Sequence, residues 1–95
     1  MSKYAKLTRY LRKQEKNAVT LDFADIEEII GAGLPNSAFR HASWWANTSN
    51  PTPQSQAWRS AGYTVVSTQL GRSGFVIFRK PGTSFLERLI FGNWD

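Results

Sequence analysis

Two β-prone runs, Tyr63-Thr64-Val65-Val66-Ser67-Thr68-Gln69-Leu70 and Phe75-Val76-Ile77-Phe78-Arg79-Lys80, flank a Gly71-Arg72-Ser73-Gly74 turn. Two β-rich runs around a glycine-bounded turn commit the chain to a hairpin. The chain before it reads differently. Residues 3–16 place Tyr4, Leu7 and Leu11 on one stripe of a helix with Tyr10 beside them, and Lys6, Arg9, Arg12, Lys13 and Lys16 opposite. Asn17 ends that helix, and Ala18-Val19-Thr20-Leu21 is a brief strand. Asp22 then caps a helix from Phe23 to Ile30, whose apolar face is Phe23, Ile26, Ile29 and Ile30. The spacing predicts an α+β domain.

The connections are equally readable. Gly31 supplies a left-handed helix end and Pro35 forbids continuation, so 31–36 is a turn. A helix is predicted over 37–46, closed by Asn47, with Trp44 and Trp45 adjacent so that one faces the core and the other points away. The stretch 48–53, Thr-Ser-Asn-Pro-Thr-Pro, is a loop. A short helix over 55–61 carries Trp58 inward and Arg59 outward and ends at Gly62. After Pro81-Gly82, a Ser84/Glu87 capping box precedes Phe85, Leu86, Leu89, Ile90 and Phe91, which predicts a short apolar tail helix. The reading is therefore one domain over 1–80, with a tail at 81–95 that packs on it or makes a dimer contact. Leu7, Leu11, Ile26, Ile30, Trp58, Val65, Ile77 and Phe78 are the predicted core.

With 95 residues there is material for one core, and 41% hydrophobic residues are enough to fill it. The absence of cysteine excludes disulfides and thiolate metal sites, and a single histidine, His41, cannot build a His-paired zinc centre. No cofactor is implied. Nor does any stretch reach the ~20 apolar residues of a membrane span or resemble a leader, so the expected location is the cytoplasm, as a monomer or homodimer. Glu27 and Glu28 are the one carboxylate pair. As helix neighbours they diverge by about 100°, which suits solvent-facing stabilisers better than acid/base partners. Ser43 and His41 face different directions for a similar reason, and the glycines at 31 and 33 lack a phosphate-loop pattern. The sequence is not that of an enzyme.

Charge is distributed unevenly along the chain. The net charge is +5, yet 21–35 holds four acids and no base, and from Ile29 through Leu86 there is no acid at all. Arg40, Arg59, Arg72, Arg79 and Lys80 all fall inside that acid-free stretch. A one-sign surface attracts polyanions, so these five bases are candidate phosphate contacts, with Trp44 and Asn47 as candidate base contacts. The first reading is a non-catalytic nucleic-acid-binding protein, with DNA favoured over RNA. The second is a protein-binding module, such as a phage-encoded inhibitor or adaptor of a bacterial defence or nucleic-acid-processing complex, because Trp, Tyr, Phe and Arg are also interface residues.

The element order, with a short strand before the second helix and a closing hairpin, resembles a winged helix-turn-helix. At the residue level, Phe23-x-x-Ile26-Glu27-x-Ile29-x-Gly31, Leu34-Pro35-x-Ser37-Ala38 and Trp44-Trp45-x-Asn47, followed by Ala57-Trp58, Gly62 and Phe78-Arg79, resemble a family of small bacterial and phage domains of unknown function. That resemblance spans residues 4–80. It implies a compact domain in which Trp44, Trp45 and Asn47 belong to a shared signature.

Overall fold

The computed structural model describes residues 3–48 and 50–80, so the predicted tail helix lies outside the described residues. Among the described residues, four α-helices and a three-stranded antiparallel sheet follow the order α1 (Ala5–Arg12), β1 (Ala18–Asp22), α2 (Phe23–Ile30), α3 (Asn36–Arg40), a 3-10 turn (Ala42–Trp45), α4 (Pro53–Ser60), β2 (Thr64–Gln69) and β3 (Phe75–Arg79). The hairpin's second strand is central, giving the order β1-β3-β2. No helix among the described residues is long and apolar enough to cross a membrane.

Local chemistry accounts for most boundaries. Asp22 and Asp25 form a reciprocal capping box, with the Asp22 carboxylate accepting from the Asp25 N–H at 2.7 Å. At the other end Gly31 adopts φ 71°, which costs glycine little and other residues much. Thr52 and Ser55 build a second capping box in front of α4, with Pro53 in its first turn, where a missing N–H is harmless. That cap sets the start of α4 at Pro53, earlier than the apolar pattern alone places it.

One face of the sheet and the inner faces of the helices enclose the core. Val19, Leu21, Val76 and Phe78 project inward from the strands to meet Leu7, Leu11, Phe23, Ile26, Ile30, Trp45 and Trp58. Leu7, Leu11, Ile26, Ile30, Trp58 and Phe78 are thus core residues as their spacing indicates, and Val65 packs half-buried at the margin. Ile77 is a correction. It follows Val76 and precedes Phe78 on the same strand, so pleat alternation sends it to the outer face, where it is half-buried. Val65 and Ser67 flank a register shift that leaves Val66 as the extra residue, 53% exposed.

The predicted helix over 37–46 is also revised, because the backbone becomes extended at His41 (φ −131°, ψ 119°) and resumes as the 3-10 turn. The interruption lets Trp45 enter the core. Its ring stacks on Phe23 at 5.3 Å and on Trp58 at 5.8 Å, and its indole N–H donates to the Ala38 carbonyl at 2.8 Å. Phe39 closes one end of this aromatic row against Phe23, and Phe78 the other against Trp58.

Candidate nucleic-acid interface

Helix α1 lies against both α2, which carries acids, and α4, which carries none. It packs between α2 and α4, burying Leu7 and Leu11. On the α2 side, Lys6 Nζ lies beside Gly31, and Tyr10 shares a shallow depression with Asp25, Glu28 and Ile29. On the α4 side, Thr8 donates to the Ala57 carbonyl at 2.8 Å and Arg12 reaches the Ser60 carbonyl at 3.4 Å. There Ala5, Thr8, Arg9, Arg12 and Ser60 line an open groove that continues over Gln56 and Arg59 to Pro51. Not one residue lining that groove is acidic.

The exposed stripe of α4 follows from its helical spacing. Ser55, Ala57 and Trp58 are buried, so at about 100° per residue the outward direction is centred on Gln56, with Arg59 to one side and Ser60 to the other. Arg59 donates through Nη1 to the Thr48 carbonyl at 2.6 Å, which ties its guanidinium to the loop before α4. Buried Ser55 exchanges hydrogen bonds with Thr52 and so carries no unmet polar group.

Of the seven residues singled out in sequence, Arg59 alone lines this groove. Lys80 lies over the Tyr63 ring at 5.2 Å, near the carbonyl of Gln14 at 3.5 Å, beyond the C-terminus of α1. Arg72 sits elsewhere. The hairpin tip folds onto α3, with Gly71 N–H donating to the Phe39 carbonyl at 2.9 Å and the Arg72 guanidinium 5.0 Å from the Phe39 ring. Arg79 shares the parity of Ile77 and so occupies the outer sheet face. With β3 separating the hairpin's tip from its exit by roughly 15–20 Å, Arg72 stands apart from Arg79 and Lys80.

The tryptophan pair and Asn47 have structural duties. Trp45 is buried, while Trp44 is half-buried and meets Tyr4 and Trp45 edge-on, at the Tyr4 end of the groove. Asn47 engages both ends of its carboxamide. Oδ1 accepts from Trp58 Nε1 and from the Val65 N–H, both at 2.9 Å, and Nδ2 donates to the Val65 carbonyl at 2.7 Å. Glu27, read as solvent-facing, is half-buried and accepts from the Leu34 N–H at 2.8 Å, fixing the turn after α2.

Arg9 and Arg12, which the sequence places on the basic face of the first helix, and Gln56 are groove residues outside the seven singled out in sequence. Arg9 and Arg12 share a helix face with ordinary solvated lysines, and only the docking of α4 sets them apart. Among the described residues no cluster of three His, Asp or Glu side chains converges as a metal site would require.

Fold and groove together define a small α+β domain with a basic, acid-free strip between its first and fourth helices. The chain belongs to the family described as Domain of unknown function (DUF7662), whose model matches residues 4–81. No curated protein and no solved structure matches it.

Proposed function

We propose that the protein is a non-catalytic DNA-binding domain of winged-helix type, with α4 as the helix that enters the major groove and α1 supplying phosphate contacts. The observation that carries this reading is the acid-free strip in which Gln56, Arg59 and Ser60 of α4 lie beside Arg9 and Arg12 of α1, with the acids of α2 on the opposite side of α1. A phosphate backbone is attracted to the first side and repelled by the second. The order of elements supports the same reading, since α4 directly precedes the hairpin and β1 closes the sheet against β3. A helix fits the ~12 Å major groove of B-form DNA and is excluded from the deep, narrow one of A-form RNA, which favours DNA.

Anisotropy of a labelled duplex against salt tests it. Binding should fall linearly in log–log form as salt rises, and Arg9→Ala and Arg12→Ala should each reduce the slope by about one. Arg40→Ala, on α3 and outside the groove lining, should leave the slope unchanged. Absence of binding to any duplex or single strand at ~50 mM salt, where phosphate contacts are strong, defeats the reading.

A second reading, a protein-binding module, is favoured by the outer sheet face, where the central strand carries half-buried Phe75 and Ile77 and exposed Val66 bulges out next to Ser67, the partner of Ile77. An apolar strip of this kind suits a protein partner whose binding responds little to salt.

A further inference from the structure

Within the DNA-binding reading, on which this inference rests, we propose that Gln56 reads an adenine and Arg59 a guanine one or two base pairs away. Gln56 stands at the centre of the outward stripe of α4 and is exposed. Its carboxamide makes no hydrogen bond among the described residues, whereas Gln54 on the same helix donates to the Trp44 carbonyl at 3.2 Å. A free amide at the apex of the helix can donate to adenine N7 and accept from N6–H2 as a bidentate pair, a pattern that no other base presents in the major groove. Arg59 is the complementary case. One edge of its guanidinium is held by Thr48, so the planar fork is oriented before binding, and its remaining N–H groups are available for guanine O6 and N7.

Spacing sets the geometry of the site. Three residues along α4 advance about 4.5 Å, against about 3.4 Å per base step. Gln56 and Arg59 therefore address neighbouring or next-neighbouring base pairs, while Arg9 and Arg12 engage the flanking backbone without regard to sequence. The expected recognition element is an adenine and a guanine within two steps of each other.

Selection from a randomised duplex pool, using the full chain, tests the assignment. Wild-type protein should enrich sites with that pair. Gln56→Ala should lose the preference at the adenine position alone and bind the selected site roughly 5- to 150-fold more weakly, as loss of one bidentate contact implies. Gln56 is exposed, so the thermal melt should not move. Replacing the adenine with 7-deaza-adenine, which removes the N7 acceptor, should weaken wild-type binding and leave Gln56→Ala unaffected. An unchanged preference in Gln56→Ala, or equal sensitivity of both proteins to 7-deaza-adenine, overturns the inference. So does a pool that binds without any sequence being enriched, although the DNA-binding reading then survives. Failure of the pool to bind at ~50 mM salt overturns both.

Discussion

The carboxamide of Asn47 acts as a one-residue strand. By exchanging two hydrogen bonds with Val65 it satisfies the free edge of β2 beside the bulge, and by accepting from Trp58 Nε1 it removes an unmet donor from the core. Asn47→Ala leaves the Trp58 and Val65 N–H groups without a protein acceptor and should lower stability by about 2–3 kcal/mol in a urea titration. Asn47→Asp keeps both accepted bonds but faces the Val65 carbonyl with a second acceptor, so its midpoint should fall between the two. Tyr63 ties distant segments in a similar way, donating to the Lys16 carbonyl at 2.7 Å. Burial raises the pKa of its phenol, and of Tyr4, above the ordinary value of 10.0. The unfolded chain then ionises first as pH rises, so this contribution is fully present below pH ~10 and is lost above it. Melts between pH 7 and 11 should show that decline, and Tyr63→Phe should flatten part of it.

Elements are joined here by close approach as much as by hydrophobic area. Gly74 is the example, since its carbonyl accepts from the Phe23 N–H at 3.1 Å where the hairpin turn meets the start of α2. A Cβ there would run into the Gln69 carbonyl oxygen and come within 2.7 Å of the Phe23 ring. Gly74→Ala should therefore cost ~2 kcal/mol, lowering Tm by roughly 8–16 °C for a domain of this size. Ser73→Ala, exposed in the same turn, should leave Tm within a degree or two. The interrupted segment from α3 to Trp45 illustrates the same balance. Helical propensity over 37–46 yields to the gain from stacking Trp45 between Phe23 and Trp58, a preference that depends on partners far along the chain.

For the molecule as a whole, α1 separates two fields, with acidic α2 on one flank and the basic groove with α4 on the other. The first helix, expected over 3–16, ends at Arg12. Helix α2 with its Asp22 cap and Gly31 end, the hairpin and the short first strand were legible in the sequence because each rests on local rules: apolar period, capping side chains and turn glycines. So was the acid-free stretch, which is a property of composition along the chain. Assembly of the groove was not legible. Arg9 and Arg12 lie in the N-terminal quarter of the chain and Arg59 well beyond its middle, and only the packing of α1 on α4 brings them to one surface. Tertiary contact likewise drew Arg72 onto Phe39, sent Arg79 and Ile77 to the outer sheet face, and turned Asn47 from a candidate base contact into an edge cap. The sequence alone therefore determined which elements form and what charge each carries, because propensity, capping and composition act within a few residues. Which of those charges share a surface was decided by the tertiary structure, since burial of the aromatic row sets how each helix is rotated and hence where its polar side chains point.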